Sequence, residues 1–413
     1  MKIHQKYDLG ELARKLIEAR TNAPGEPASF KGFEIRNVRS VLETCVDFNP
    51  AVPESDRNSL IWRAITTAAE LPQLDVAGLQ QCLRNAERNY LRRERKPFII
   101  ASSLTFGYFD ELSRSVVDGV SITYSRSLPP RFSRAAVQED IDRATAIEQP
   151  HRLCVVRTRV EARTEAAAMH EALDTVDYLR GIWNYVINSR TLMRRSIGAT
   201  RPVNEILWDP VHSIHKTNGA LATDAIWAES KHQQFGQLYR IAPQWENLHK
   251  REQQIRRRLS NIDYGADLKA LLIRYTRALD TADYDSAFSR LWGVFEHLAG
   301  AIGNYDALIK RTLFLITHEV RDFERLILEH LRDVRNGLVH ADRSRREMET
   351  HLYQLRWFVE GLLRFHLAHG REFRSLSVAG HFLDLPQDTA LLKQRVTDLG
   401  RAIRFQSARV ADG

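Results

Sequence analysis

The strongest constraint on the fold is a helical repeat of apolar residues that runs from about residue 266 to residue 370. Apolar side chains three or four positions apart lie on one face of a helix, and that face must be buried. The four stripes are Leu268, Leu272, Tyr275 and Leu279; Phe288, Leu291, Trp292, Phe295, Leu298 and Ile302; Phe323, Ile327, Leu331, Val334 and Leu338; and Leu352, Leu355, Val359, Leu362 and Leu363. Because short connections separate them, the sequence predicts an antiparallel helical bundle.

Capping residues indicate where the helices of this bundle begin and end. Asn304 is a good N-cap for a further helix, which we expect to reach about Thr317. Ser344 and Glu347 form a capping box at the start of the last bundle helix. Gly370 is expected to end that helix, because glycine adopts the left-handed conformation common at helix ends.

The residues before the bundle show mixed patterns. Residues 1–95 are predicted to be mostly helical, whereas residues 96–190 are predicted to form a small α/β unit. The helical segments of the first region are Gly10–Arg20, Leu60–Leu71 and Val76–Arg95, with a loop over Asn22–Pro27. The α/β unit has strand signals over Phe98–Phe106, Val120–Tyr124 and Cys154–Ala162, followed by a helix from Thr164 to about Asn188.

Residues 191–265 are predicted to be a connector that packs on both neighbouring regions. Its segments Trp208–His212 and Lys216–Gly219 are predicted as turns, and Trp245–Leu259 as a charged helix. Residues 371–413 form a tail with one amphipathic helix from about Thr389 to Phe405. The predicted fold class is therefore α+β, mostly α: a small N-terminal α/β region followed by a C-terminal antiparallel helical bundle over 266–370.

The net charge of +8 and the pI of about 9.4 favour a polyanionic partner. Of the 60 basic residues 49 are arginine, a bias that a GC-rich genome also produces. Cys45, Cys82 and Cys154 are far apart and are expected to be reduced, buried thiols. No apolar run approaches the ~20 residues that span a membrane, and no signal-peptide core is present, so we expect a cytoplasmic protein with no membrane partner.

The segment Arg335-Asn336-Gly337-Leu338-Val339-His340 carries the residue types that RNA cleavage needs. Histidine can accept or donate a proton near neutral pH, and arginine keeps its charge and can stabilise a pentacoordinate phosphate. On a helix, five residues correspond to a rise of ~7.5 Å and a rotation of ~140°. One copy of the segment therefore does not bring both side chains to one point, whereas two copies related by a two-fold axis can do so.

A purely structural role for the same segment is an alternative interpretation. An arginine and a histidine near a helix end can simply bind the last carbonyl groups and compensate the helix dipole. The surrounding sequence favours a phosphate site, because several cations lie close to the segment. These candidate RNA-binding residues are Arg332, Arg343, Arg345 and Arg346.

The segment resembles the R-x-x-x-x-H signature of the HEPN superfamily, including the polar residue after the arginine. The stretch Ala287–Leu298, with its Leu-Trp-x-x-x-Glu pattern, is similar to the ApeA-like branch of that superfamily, as are Tyr305–Ile316 and Leu328–Arg335. The resemblance covers about 266–370, a quarter of the chain. The regions upstream are similar to that branch in layout, with weaker motifs.

The resemblance implies a metal-independent RNA endonuclease that uses no cofactor and pairs through the motif face as a homodimer. Its products would be a cyclic phosphate and a 5′-hydroxyl, and its setting phage defence by abortive infection or a toxin system. It assigns Arg335 and His340 as the catalytic pair, with Asn336 in support. Glu296 matches an acidic position that faces the motif, although it lies among apolar residues and can instead anchor a buried arginine.

Other interpretations are weighed against this one. The chain can be a non-catalytic HEPN module that binds RNA or a protein partner, or a helical scaffold of a defence complex. The N-terminal two-thirds would restrain the nuclease until a phage-derived or protein trigger is sensed. His212 and His215 are three residues apart, but no further ligand accompanies them, so we predict no metal site. Trp357 and Phe358 can stack bases, although aromatic residues on a bundle helix more often lie in a core or an interface.

Overall fold

The computed structural model of the chain describes residues 1–4, 6–23, 26–139, 141, 153–190, 200–228, 240–337 and 345–411, with the backbone alone for 345, 346 and 408–411. These residues form an α+β structure that is mostly helical, as the sequence predicted. The helices are α1 (Leu9–Ala19), α2 (Glu34–Cys45), α3 (Glu54–Glu70), α4 (Val76–Leu91), α5 (Glu165–Asn188), α6 (Trp245–Ser260), α7 (Gly265–Leu279), α8 (Tyr284–Leu298), α9 (Tyr305–Phe314), α10 (Arg321–Gly337), α11 (Arg345–His369), α12 (Leu376–Leu383) and α13 (Thr389–Ala411).

The strands form one short pair and one large antiparallel sheet. The short pair is β1 (Lys2–Ile3) with β2 (Val46–Asp47). The other strands are β3 (Lys96–Leu104), β4 (Arg114–Val117), β5 (Val120–Ser125), β6 (Cys154–Ala162), β7 (Val211–Lys216) and β8 (Trp227–Ala228). The sheet has the strand order β4-β5-β6-β3-β7-β8, so the long strands β3 and β6 lie at its centre.

The helices α1–α4 pack around a core of their own and contact the rest of the molecule through Asp56. This carboxylate is buried and accepts hydrogen bonds from Tyr90 at 2.6 Å and from Thr164 at 2.7 Å. Thr164 is also the N-cap of α5, where its side chain accepts from the backbone of Ala167. Asp56 thus connects the N-terminal helices to the start of α5, beside a cation–π contact of Arg163 with the Tyr90 ring at 5.7 Å. Helix α2, which lies between two predicted helices, was not predicted from the sequence.

Strand β7 differs from the sequence prediction. Trp208–His212 was predicted as a turn, but Trp208 bridges Leu104 and Val211–Lys216 pairs with β3. The prediction was wrong because the glycine- and proline-free run from Val211 contains histidine and serine at positions that face the interior. Their polar atoms are accommodated there by hydrogen bonds, such as the one between Ser213 and His215 at 2.9 Å. The turn predicted after Lys216 is confirmed.

The sheet and the helical bundle share one continuous core, and α5 contributes to it along much of its length. Its fully buried Arg180 pairs with Asp177 on the same helix and with Asp280 at the end of α7. The same guanidinium donates to the backbone carbonyl of Ile206 at 3.0 and 3.2 Å. The segment predicted as a connector is therefore built into the core, since it supplies both β7 and a carbonyl that a buried cation binds.

Most of the predicted stripe residues that the structure describes are buried, with two exposed exceptions, and Leu338 lies outside the described residues. Ile302 is 66 % exposed, because α8 ends at Leu298 and the chain turns through Gly300 (φ +60°) and Gly303 (φ +70°). Phe323 is 65 % exposed, since the residues that α10 buries, Leu328, Leu331 and Val334, lie further along the helix.

The predicted bundle boundaries are confirmed in part. Asn304 is the N-cap of α9 and accepts from the backbone of Ala307 at 3.1 Å. That helix ends at Phe314, before the predicted Thr317. Gly370 directly follows α11 as expected, although it begins a 3₁₀ turn and does not adopt the left-handed conformation. Ser344, the predicted cap of α11, lies outside the described residues. In the tail, α12 was not predicted, and no helix within the described ranges is long and apolar enough to cross a membrane.

His366 links three bundle helices and makes stability depend on pH. Its Nε2 donates to the carbonyl of Leu298 at 2.8 Å, and its Nδ1 accepts from the hydroxyl of Tyr264 at 2.9 Å. The bond in which Nδ1 accepts needs the neutral ring, and burial lowers the pKa of His366 to about 4. The unfolded chain, with an ordinary pKa near 6.5, binds a proton more readily, so stability should fall as pH drops from about 6.5 towards 4.

We expect protonation of this histidine to lower the free energy of unfolding by about 3 kcal/mol over that pH range. Urea unfolding at pH 7.5 and pH 5 should show about 2 kcal/mol of this loss in wild type, because pH 5 is still above the folded-state pKa. A His366→Asn variant should be less stable at pH 7.5 but should lose less on acidification. An equal loss in both proteins would assign the pH dependence to other groups.

Candidate functional site

The C-terminal end of α10 exposes the first two residues of the predicted motif. Leu328, Leu331 and Val334 hold this helix on the bundle by their buried side chains. Arg335 and Asn336 are both exposed, with Arg335 at the edge of the buried stripe and Asn336 on the outward side. The amide oxygen of Asn336 lies 3.5 Å from a guanidinium nitrogen of Arg335, at the outer limit of a hydrogen bond.

An aromatic pair supports Arg335. Its guanidinium carbon lies 5.6 Å from the centre of the Tyr305 ring, which is within the range of a cation–π contact. Tyr305 is the first residue of α9, directly after the Asn304 cap, and its ring packs edge-on against Trp292 of α8 at 6.1 Å. The cation is therefore placed by the start of one helix and the middle of another, while its charge stays accessible.

Glu296 lies on the last turn of α8, one turn after Trp292. Its backbone carbonyl accepts from the N–H of Ala301 at 2.9 Å, and the carbonyl of His297 accepts from the N–H of Gly300 at 3.0 Å. These two bonds, with Gly300 in the left-handed conformation, form a Schellman motif that ends α8. The side chain is half-buried, and no hydrogen bond or ion pair to its carboxylate is present among the described residues. Among the described residues Glu296 therefore binds no buried arginine, which is the role that the alternative interpretation gives it.

The structure describes the remaining predicted residues only in part. His340 and Arg343 lie outside the described residues, so the structure leaves the pairing of Arg335 with His340 a prediction. Arg345 and Arg346 begin α11, and only their backbone is described. Arg332 pairs with its neighbour Asp333 at 3.1 Å on the surface, which reduces its availability for a phosphate.

A histidine pair near the motif was not predicted. His330, on α10, and His351, on α11, place their Nε2 atoms 3.0 Å apart, so one ring donates a proton and the other accepts it. They lie 21 positions apart in the sequence, in two different helices. No local signal reveals such a pair, because it arises only when α10 and α11 pack against each other. The contact joins the helix that carries Arg335 to the helix that follows the motif.

The other histidine candidates do not form a metal site. His212 and His215 both lie in β7, and three positions along a strand place them on opposite faces of the sheet. His212 contacts Ser102, while His215 contacts Ser213 and the carbonyl of Gly219. Within the described ranges no three His, Cys, Asp or Glu side chains come together in a way that would hold a metal ion.

Comparison of the chain with models of known protein families, with characterised proteins and with solved structures returned no match. The geometry of the α8–α9–α10 corner therefore supplies the structural argument about function.

Proposed function

We propose that the chain is a metal-independent RNA endonuclease of the HEPN type, which cleaves RNA at a site shared by two copies of the chain. The observation that carries this proposal is the placement of Arg335. Its cation is exposed at the end of α10, is supported by Tyr305 and lies on the bundle surface with Asn336 beside it. An arginine that only compensated the end of its own helix would not need an aromatic platform from another helix.

The proposed reaction uses the 2′-hydroxyl of the substrate as nucleophile. His340 or its partner-copy equivalent takes the 2′-hydroxyl proton, and the 2′-oxygen attacks the adjacent phosphorus. The bond to the 5′-oxygen breaks, and that oxygen receives a proton from the second imidazole. The products are a 2′,3′-cyclic phosphate and a 5′-hydroxyl. Arg335 stabilises the extra negative charge on the phosphate while five oxygens surround it, and Asn336 orients the phosphate by hydrogen bonding.

Two imidazoles and two guanidinium groups at one phosphate require two copies of the motif. The surface of α10 supports such pairing, since Phe323 and Leu326 are 65 % and 63 % exposed on the same helix as Arg335 and Asn336. Large apolar side chains close together on a surface commonly mark an interface. Pairing of two copies through α10 would cover them and would bring the two motifs to the same seam.

The setting we propose is phage defence by abortive infection, or a toxin system, in the cytoplasm. An unrestrained ribonuclease harms its host, so the helices α1–α4 and the sheet would restrain activity until a phage-derived or protein trigger binds. The continuous core between the sheet and the bundle supports this role, because a change in the sheet can reach α8 and α11 through α5.

The decisive experiment incubates purified protein with total cellular RNA in excess EDTA. We expect cleavage with 2′,3′-cyclic phosphate ends, by a species with the mass of two chains. Expression in a bacterial host should also slow growth. RNA binding without cleavage, in cells and in vitro, would favour a non-catalytic binding module, and an active species with the mass of one chain would contradict the shared site.

A further inference from the structure

A second site lies at the far end of α11, where the ends of α5 and α6 meet that helix. A cavity of about 280 Å³ is present there, and four arginines line it: Arg190, Arg251, Arg258 and Arg364. Arg364 is 19 positions after the start of α11, which corresponds to roughly 29 Å along the helix. The cavity is therefore distinct from the corner that holds Arg335.

Three different helices supply the four cations. On α6, Arg251, Gln254 and Arg258 are spaced by three and four residues, so they lie on one face of the helix. Arg190 follows the end of α5, and Arg364 comes from α11. Tertiary packing therefore brings together charges that are up to 174 positions apart in the sequence.

Among the described residues no carboxylate lies within ion-pair distance of these four exposed cations, although Arg364 interacts electrostatically with Glu360, one turn earlier on α11. No acidic side chain of the described residues lines the cavity. Helix dipoles explain only part of the charge, because the ends of α5 and α6 contribute about half a negative charge each against four positive charges.

Neutral donors complete the lining of this cavity. The hydroxyl of Tyr185 interacts with Arg364, and burial raises its pKa, so it remains protonated at neutral pH. Gln254 and Ser189 also line the cavity, and the Ser189 hydroxyl donates to the carbonyl of Val186 at 3.1 Å. Guanidinium, phenol and amide groups are donors suited to phosphate oxygens, and four guanidinium groups in one cavity match more than one phosphate.

An aromatic groove adjoins the cavity along α11. This groove, about 310 Å³ in volume, is lined by residues that include Trp357, Phe358 and Phe365, and it shares Arg364 with the cavity. Trp357 is 44 % exposed although it is a large apolar side chain on a bundle helix. A Cβ added to Gly361 in the groove would meet nothing within 4 Å, so the floor beside Trp357 is open.

We propose that the two adjoining pockets bind a nucleoside polyphosphate, with its phosphates among the four arginines and its base against Trp357. A flat aromatic base stacks on an indole ring, and a polyphosphate chain matches several guanidinium groups. Arg364 lies at the junction of the two pockets, where the first phosphate or the ribose would be placed.

Titration calorimetry of the full chain with ATP, GTP and tripolyphosphate tests this proposal. We expect a nucleotide to bind more tightly than tripolyphosphate, because only the nucleotide uses the groove. The double variant R251Q/R258Q should lose at least about tenfold in affinity for both probes, since two charge-assisted contacts are removed. The matched control R257Q removes an exposed cation of the same helix that does not line the cavity, and it should bind as wild type does.

A second variant separates the groove from the cavity. Gly361→Leu fills open space beside Trp357, so it should weaken nucleotide binding and leave tripolyphosphate binding unchanged. Absence of nucleotide binding to wild type would overturn the proposal, as would equal binding by R251Q/R258Q. Binding of a single-stranded RNA oligomer in this cavity in place of a free nucleotide would also overturn it and would assign the cavity to the RNA path.

Discussion

Replacing Arg335 by alanine is expected to reduce the rate of RNA cleavage about 10²–10³-fold, because a charge that stabilises the pentacoordinate phosphate is lost. The fold should be unaffected, since the side chain is exposed and its only described contacts are with Tyr305 and Asn336. Arg335→Lys should recover only part of the rate. Lysine keeps the charge but cannot present two parallel N–H groups or stack flat on the Tyr305 ring.

The matched control for this variant is Arg325→Ala, which removes an exposed cation from the same helix ten residues earlier. It should cleave RNA at close to the wild-type rate. His340→Ala should lose activity as Arg335→Ala does, and both variants should relieve slow growth on expression. Thermal unfolding of each protein would check that the fold is intact. Cleavage by Arg335→Ala at the wild-type rate would remove the basis of the proposed function.

Replacing Arg180 by leucine is expected to lower the free energy of unfolding by about 3–5 kcal/mol, because it leaves buried carboxylates without their cation. Both carboxylate oxygens of Asp280 would lose the guanidinium nitrogen that lies 2.8 Å from each of them. The carbonyl of Ile206 would lose two N–H donors from Arg180. Asp177 would keep Arg277 and Trp208 as partners. The variant should thus mainly lose the contacts that connect α5 to the end of α7 and to the segment that precedes β7.

Urea unfolding of wild type, Arg180→Leu and the double variant R180L/D280N measures this effect. The double variant should recover part of the stability, because the amide that replaces Asp280 carries no charge to leave unpaired. The control is Arg401→Ala, which breaks an exposed ion pair with Asp398 at 3.3 Å and should change stability by less than about 1 kcal/mol. A loss below 1 kcal/mol for Arg180→Leu would show that the buried network contributes little.

Several elements were predictable because one local pattern determines each of them. Alternation of apolar and polar residues identified Cys154–Ala162, and the strand β6 has those bounds. Thr164 was placed at the start of the next helix, where it caps α5. Asn304 likewise caps α9. The predicted burial of the three cysteines is also confirmed.

Predictions that depended on a neighbouring element were less successful. Helical spacing puts Phe323 about 80° around the helix from Leu331, so from the sequence Phe323 can belong to the buried stripe or to the exposed face. Only the packing of α10 on the bundle decides that Leu331 is buried and Phe323 exposed. The assignment of Trp208–His212 to a turn failed for a related reason. A polar residue is tolerated inside a sheet when a partner from another strand meets it, as Ser102 of β3 meets His212.

In the candidate site, too, some features follow from local sequence and others from tertiary packing. The sequence alone identified Arg335, Asn336 and Glu296 by residue type, spacing and resemblance, since these are properties of short segments. Tertiary structure decided that Tyr305 supports Arg335, that His330 meets His351, and that four arginines from three helices share one cavity. Contacts of this kind join residues far apart in the chain, and their distances depend on how helices pack. Local patterns specify which face of a helix is buried, but not which neighbour covers it or which charges meet across the gap.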